Sequence, residues 1–230
     1  MKTLNDFFDG IYCVNLARRQ DRWNECVKLF DKHNLNVERV DAKDWKTIQW
    51  IDPSLGEKYI ANVANLMSVI KVLNLAGNKG YKKILLLEDD VDFVDNLNEK
   101  FFQNVESLPN DWGFLYLGGN HEGGYTDIVY EDGTLSPLIK CNRTYALQSF
   151  GFTGRVAPYI WKKLSEVLFQ ASSNPRTKIR EHAICADYWI GEMQATTPTY
   201  SFREPLSWQR NDYSDIEQKD SNYEWLKYKL

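Results

Sequence analysis

Three consecutive carboxylates, Glu88, Asp89 and Asp90, are the residues of this chain whose types and spacing most directly suggest chemistry. They follow an apolar run, residues 84–87, that predicts a strand buried on both faces of a sheet. Open α/β sheets bind ligands at the carboxyl ends of their strands, where this cluster would lie. Neighbouring carboxylates repel one another unless something compensates, and hard ions such as Mg²⁺ or Mn²⁺ do so. The pattern indicates a metal site whose ion could bridge the phosphates of a nucleotide.

A capping role for a helix is the alternative for the same cluster, because the positive end of a helix favours acidic residues. If the cluster does hold a metal, we predict Asp90 and Glu88 as the ligands, since alternate residues of an extended chain point the same way. Asp89 would then face away from the ion, towards a ribose or a sugar.

The elements that would position these residues alternate between strands and helices. Strands are predicted over residues 10–16, 37–41, 83–88, 114–117, 146–154 and 200–202. Helices are predicted over residues 20–34, 61–76, 157–169 and 184–193, and residues 122–137 read as a hairpin or loop. This alternation predicts an α/β sandwich with a mainly parallel central sheet, possibly mixed at its edge. We predict one domain, residues 1–216, and a peripheral C-terminal tail, residues 217–230.

Composition narrows the classes of function. The net charge of −4 argues against a general nucleic-acid-binding protein, which would usually be basic. We see no secretory leader and no uninterrupted apolar run of membrane-spanning length, so we expect no transmembrane segment and a cytoplasmic location. No glycine-rich phosphate-binding loop of the kinase type is present, which counts against that class of nucleotide enzyme.

Several segments, taken in chain order, resemble glycosyltransferase family 25, which includes bacterial lipooligosaccharide galactosyltransferases and animal procollagen galactosyltransferases. The first is YCVNLARRQDRW at residues 12–23, with Asn-Leu followed by spaced arginines. The acidic signature EDDV at 88–91 matches closely. The other similar segments are VDA at 40–42, LYLG at 115–118, GFT at 151–153, Asp187, PLSWQ at 205–209 and SDI at 214–216. Together they cover nearly the whole chain to residue 216.

The resemblance implies a GT-A-like fold that transfers a hexose, galactose or glucose, from a UDP-sugar to an acceptor hydroxyl with inversion. Such a reaction needs a cation for the departing diphosphate, a base for the acceptor proton and groups that hold the nucleotide. We expect Mn²⁺ or Mg²⁺ as the cation. Asp187 is the predicted base, with Glu192 as the alternative. The acceptor stays open among a saccharide, a hydroxylated side chain and a small molecule.

Donor binding is assigned through the same resemblance. Backbone groups of Asn15 and Leu16 would pair with the uracil edge, and Arg18 and Arg22 would offer forked donors to the phosphates. The remaining predicted donor contacts are Asp41 and Ala42 of the second-strand motif, Asp89, and Gln209 of the closing segment. For the arginines, plain surface charge is the alternative.

One departure from the family pattern favours a second class of function. Many members carry a Ser-His pair on the helix before the acidic strand, whereas here Ser68 is followed by Val69. His121, in a predicted loop, could replace that histidine. The alternatives to an active transferase are a non-catalytic descendant that serves as a binding or scaffold module, and another nucleotide-dependent transferase.

Overall fold

The computed structural model describes residues 2–227, and this part of the chain contains twelve strands and five α-helices. The strands are β1 (Gly10–Asn15), β2 (Glu38–Asp41), β3 (Lys83–Glu88), β4 (Val91–Phe93), β5 (Phe114–Tyr116), β6 (Tyr125–Val129), β7 (Leu135–Cys141), β8 (Ser149–Thr153), β9 (Thr199–Phe202), β10 (Ser207–Gln209), β11 (Asp212–Ser214) and β12 (Lys219–Ser221). The helices are α1 (Gln20–Lys32), α2 (Glu57–Asn78), α3 (Leu97–Val105), α4 (Ala157–Ser173) and α5 (Ala186–Met193).

An eight-stranded mixed sheet forms the centre of the fold, in the order β2-β1-β3-β8-β5-β9-β7-β6. Strands β2, β1 and β3 are parallel to one another, as are β5 and β9, and the other neighbours are antiparallel. The predicted α/β fold is confirmed. The mixed pairing that we expected at the edge also reaches the centre, because β8 returns antiparallel between β3 and β5.

Strand β3 is buried on both faces, as its apolar run predicted. Ile84 and Leu86 belong to the hydrophobic core that α2, α4 and α5 cover, whereas Leu85 and Leu87 belong to the core under α1 and α3. All four side chains are at most 1% exposed. Because successive side chains point to opposite faces, β3 packs against both helical layers. This packing holds the strand, and with it Glu88 at its carboxyl end.

Helix α2 is longer than the predicted residues 61–76. It is the one helix within residues 2–227 whose length and hydropathy would allow it to cross a membrane, but 61% of its most apolar window is buried in the fold. The core helix of a soluble protein passes the same test, so this is weak evidence for a span.

Several short elements were not predicted. These are α3 and two small two-stranded sheets, β10 with β4 and β11 with β12. The hairpin of β11 and β12 crosses residue 216, so the predicted tail begins inside its turn, and Leu226 is 2% exposed. Residues 228–230 of that tail lie outside the described residues. The division into domain and tail stays a prediction.

Candidate active site

The acidic cluster lies where the sequence predicted it, at the carboxyl end of β3. The expectation of an extended chain there was wrong: β3 ends at Glu88, and Asp89 and Asp90 form a turn before β4. The amide of Arg210 donates to the carbonyl of Asp90 (2.7 Å), and the Arg210 guanidinium donates to the carbonyl of Asp89 (2.7 Å). The turn is thus held from the segment that follows β10, some 120 residues later in the chain, which no local pattern could show.

Glu88 and Asp90 share an environment that disfavours their charged forms. Burial, with the charges of Asp90 and Asp187, raises the pKa of Glu88 to about 8. Burial and the charge of Asp89 raise the pKa of Asp90 to about 6. Oδ1 of Asp90 is buried, and no group in residues 2–227 donates a hydrogen bond to it. Such a pair would be stabilised by a cation.

The carboxylate of Asp89 contacts protein groups of β1 and α1. Its Oδ1 accepts from Nη1 of Arg22 (2.6 Å) and its Oδ2 accepts from Nδ2 of Asn15 (2.6 Å). The expected contact of Asp89 with a ribose or sugar is therefore corrected: both carboxylate oxygens are engaged inside the fold. Asp89 ties the acidic turn to β1 and α1.

The two residues predicted to contact uracil lie beside this turn at the end of β1. The carbonyl of Asn15 accepts from the amide of Ala42 (2.9 Å), and the carbonyl of Leu16 accepts from the amide of Arg19 (2.8 Å). Both carbonyls are therefore already engaged within the chain. Asn15 is also buried at 1% exposure, so Leu16 is the more accessible of the two residues.

The two arginines predicted to bind phosphate are both held by aspartates. Arg22 is 7% exposed, and besides Asp89 it contacts Asp212 through Nε (2.8 Å). Arg18 pairs with Asp44 (2.9 Å) and Asp215 (2.7 Å), and its side chain keeps 32% exposure. Of the two, Arg18 is the one that solvent, and thus a ligand, can reach.

Asp212 and Asp215, which we call the aspartate pair, belong to the β11–β12 hairpin. Both also contact Arg19, at 3.2 Å and 2.7 Å. Arg19 directly precedes α1, and its side chain is only 14% exposed. The arginines at the start of α1 and this hairpin therefore form one network beside the acidic turn.

Asp187, the predicted base, lies in the first turn of α5 and close enough to Glu88 to raise its pKa. Burial raises the pKa of Asp187 itself, although backbone amides including those of Tyr188 and Ala146 donate to its carboxylate. Ala146 has a φ of 75°, a left-handed conformation that costs a non-glycine residue energy and that clusters at functional sites. The alternative base, Glu192, is instead in an ion pair with Arg143.

The second-strand motif lies near the same edge of the sheet. The side chain of Asp41 is 67% exposed at the end of β2, so its carboxylate is accessible. Ser68 is buried in α2, accepts from the amide of Lys43 (2.9 Å) and donates to the carbonyl of Ala64 (2.8 Å). Val69 is in the core at 4% exposure. Ser68 and Val69 thus both make contacts inside the fold, and neither contact involves a histidine.

Three polar residues complete the site. Gln209 was predicted, and its Nε2 lies 3.5 Å from Oδ2 of Asp90. Asn65 of α2, which we missed, forms a side-chain hydrogen bond with Glu88. Asn62 is one turn earlier on the same helix face, and its Nδ2 is buried without an acceptor in the described residues. Two asparagines three residues apart in an apolar helix were a signal that could have been noticed.

His121, the proposed substitute for the family histidine, is buried at 8% exposure. Its Nδ1 is 2.7 Å from the hydroxyl of Thr144, and its ring meets that of Tyr125 edge to face. These contacts hold the His121 ring against other protein side chains. Its role as a substitute stays a prediction.

The residues of this site could supply only a few of the ligands that a metal ion needs. No group of three or more His, Cys, Asp or Glu side chains within residues 2–227 is arranged to hold an ion. Two carboxylates, Glu88 and Asp90, would leave most coordination positions to phosphate oxygens and water, which is the usual manner of Mg²⁺ binding. The unpaired Oδ1 of Asp90 and the raised pKa values agree with that interpretation.

The sequence model of glycosyltransferase family 25, described as an LPS biosynthesis protein family, matches residues 8–149. Procollagen galactosyltransferase 2 of Homo sapiens is 24% identical over 129 residues, which is 48% of this chain and 21% of that protein. The probable inactive glycosyltransferase 25 family member 3 of Rattus norvegicus is 23% identical over 142 residues, 54% of this chain and 25% of that protein.

The similarity covers a larger share of one viral relative. The putative glycosyltransferase R655 of Acanthamoeba polyphaga mimivirus is 27% identical over 149 residues, 59% of this chain and 46% of that protein. The chain thus spans less than half the length of these relatives. The family match includes the acidic turn and the arginines of α1, whereas Asp187 and Gln209 lie beyond it.

Proposed function

This chain belongs to glycosyltransferase family 25, and from that premise we propose that it transfers a hexose from a UDP-sugar to an acceptor hydroxyl, with a divalent metal and with inversion. The donor sugar is proposed as galactose or glucose; the name of the human relative favours galactose. The observation on which the proposal rests most is the pair of carboxylates, Glu88 and Asp90, at the end of β3, where Oδ1 of Asp90 is buried and no group of the described residues donates to it.

The metal part of the proposal rests on the acidic turn. Glu88 and Asp90 would hold Mn²⁺ or Mg²⁺, which supplies positive charge where the departing diphosphate becomes negative. Gln209, 3.5 Å from Asp90, is placed to contact the same phosphates. Arg210 and Asp89 hold the turn through its backbone and side chain, so they position the two ligands and take no direct part.

Asp187 is the group we propose to take the proton of the acceptor hydroxyl. A base works best when its pKa lies near the working pH, and burial moves the pKa of Asp187 in that direction. The amides of Tyr188 and Ala146 donate to the carboxylate and hold it in one orientation. With the base on one side of the sugar and the diphosphate on the other, a single displacement inverts the anomeric centre.

Donor binding is proposed for the loop ends around β1 and β2. Arg18 is the accessible phosphate contact, and Asp41 is accessible for a ribose or uracil hydrogen bond. Leu16 and Ala42 flank the end of β1 and would shape the base pocket through their backbones. Arg22 supports this site from beneath, because its three guanidinium nitrogens already donate to Asp89, Asp212 and the Tyr213 carbonyl.

A non-catalytic binding protein is the second candidate. It is favoured by the similarity to family members named as inactive and by Val69 in place of a histidine. The intact cluster of Glu88, Asp90 and Asp187 favours the enzyme.

Calorimetric titration of UDP, with Mn²⁺ and then with a chelator, tests the proposal. We expect binding that requires the metal and that Asp90→Asn weakens at least tenfold. Asp95→Asn is the matched control, since Asp95 follows the same turn but its side chain is 93% exposed. Slow release of UDP and free hexose from a UDP-sugar then separates an enzyme from a binding module. Absence of UDP binding under both conditions would disprove the donor assignment.

A further inference from the structure

An open cavity lies at the end of β3 opposite the acidic turn. Its volume is about 770 Å³, and it is lined by the end of α2, the start of β3, the end of β8 and the start of α4. The six residues of β3 separate it from Glu88 by roughly 16 Å. The volume falls within the range of small-molecule sites, so the cavity is large enough for an ordered ligand.

The floor and one wall of this cavity are apolar and aromatic. Ile84 and Trp112 are buried beneath it, at 0% and 5% exposure. Trp161 of α4 is on the rim and is 43% exposed, and Tyr81 is half-buried beside it. An exposed indole face next to a cavity offers a flat surface against which the apolar face of a ring can pack.

One polar group without a partner belongs to a residue that lines the same cavity. The Oγ1 of Thr153 is buried, and no hydrogen-bond partner for it exists within the described residues. Leaving a buried hydroxyl unpaired costs about 1–3 kcal/mol, so a ligand that completes this bond would be favoured. Three amide side chains, Asn74, Asn78 and Asn110, also line the cavity, and each can both donate to and accept from hydroxyls.

The charge of the lining has one sign. Its charged side chains are Lys82 and Arg155, and no carboxylate of residues 2–227 lines it. The guanidinium of Arg155 is held by the carbonyls of Asp111 and Trp112, and neither cation forms an ion pair within the described residues. The positive end of α4 faces the same space through Ala157. The cavity is therefore suited to an anion.

We propose that this cavity binds an anionic saccharide, that is, a sugar ring with a carboxylate or phosphate group. The ring packs against Trp161, its hydroxyls pair with Thr153 and the amides, and its charged group meets Lys82 and Arg155. A purely apolar ligand would leave the amides and Thr153 unsatisfied, and a neutral sugar would leave the two cations without a partner. This site goes beyond the proposed transfer reaction and does not depend on it.

A titration of ¹⁵N-labelled protein followed by NMR tests the proposal without any nucleotide. The probes are glucuronate, glucose 1-phosphate and glucose, and the reporters are the amides of Gly80 and Gly154 and the indole of Trp161. We expect both anions to shift these signals and to bind at least fivefold more tightly than glucose. Binding of only one anion would assign the charged group as carboxylate or as phosphate. Shifts confined to the acidic turn, or equal binding of glucose, would overturn the proposal.

Two variants separate ligand binding from folding. Trp161→Ala should weaken binding about fivefold, whereas Tyr159→Ala, on the same helix at 66% exposure and outside the cavity, should leave it unchanged. Thr153→Val should weaken binding about three- to tenfold and raise the Tm of the free protein, because it removes the unpaired hydroxyl. If Trp161→Ala and Thr153→Val both bind as the unmodified protein does, the cavity is not the site.

Discussion

The guanidinium of Arg22 donates to the carboxylate of Asp89 at 2.6 Å, with side-chain exposures of only 8% and 11%. This ion pair joins α1 to the turn that displays Glu88 and Asp90, so the geometry of the proposed metal site depends on a charge pair inside the fold. Asn15 donates to the second oxygen of Asp89 and completes the arrangement. The middle carboxylate of the cluster is therefore structural, while its two neighbours are available for a ligand.

Removal of one partner of this pair should be costly. We expect Asp89→Ala to lower the free energy of unfolding by about 3–5 kcal/mol, because it removes the buried partner of the Arg22 charge and leaves Asp212, which is 34% exposed, as the nearest carboxylate. Asp21→Ala is the control: Asp21 pairs with Arg19, but its side chain is 64% exposed, and the loss should be below about 1 kcal/mol. Urea denaturation measures both. Equal losses for the two variants would contradict the structural role of Asp89.

The chain sequence was sufficient for the parts of the site that depend on local pattern. The apolar run before Glu88 predicted a strand buried on both faces, and the position of the carboxylates at its end followed from that. It could not show that Asp89 turns towards Arg22, since that contact joins residues 67 positions apart. Nor could it show Arg210, whose role arises from the pairing of β10 with β4.

The sheet order shows the same limit. Alternating strands and helices predicted an α/β sandwich, and the bounds of β1, α1 and α5 came out within a few residues. The antiparallel insertion of β8 between β3 and β5 is set by which apolar faces pack best across the sheet, and no single segment encodes it. Short strands such as β4 and β10 have three residues each, too few for a period of two to be recognised.

The pH dependence of stability should report Glu88. Its pKa is about 8 in the folded protein, against a value of 4.5 for a free side chain. A group whose pKa is raised on folding contributes stability that is complete below the lower value and lost as pH rises through the higher one. In metal-free protein, the Tm should therefore fall between about pH 5 and pH 8 because of this group.

The variant Glu88→Gln removes that titration. We expect its Tm, measured by calorimetry in the presence of a chelator, to fall less than that of the unmodified protein between pH 5 and pH 8. Glu131→Gln, at an exposed loop position, should follow the unmodified protein. Identical curves for all three proteins would mean that folding does not raise the pKa of Glu88.

Asp187 should affect turnover more than binding if it is the base. We expect Asp187→Asn to reduce kcat for transfer about 10²–10⁴-fold, with little change in the affinity for UDP and Mn²⁺. Glu192→Gln, whose carboxylate pairs with Arg143 instead, should change kcat far less. Steady-state kinetics and calorimetry measure the two quantities. If Asp187→Asn loses metal and UDP affinity instead, Asp187 is a ligand and not the base.

Asp215 of the aspartate pair should compete with the donor phosphates for Arg18. Asp215 holds Arg18 at 2.7 Å, and Arg18 is the arginine we propose to contact the diphosphate, so its donors must be shared or released when the donor binds. Asp215→Asn removes the competing charge from a pair that is partly exposed. Exposed ion pairs are worth about 0.2–1 kcal/mol, so UDP should bind about 1.4- to 5-fold more tightly in this variant.

Asp44→Asn, which removes the other partner of Arg18, should act in the same direction, whereas Arg18→Gln should weaken UDP binding. Calorimetric titration at low and high salt measures all three. If Asp215→Asn weakens UDP binding while Arg18→Gln leaves it unchanged, Arg18 serves the hairpin and not the donor.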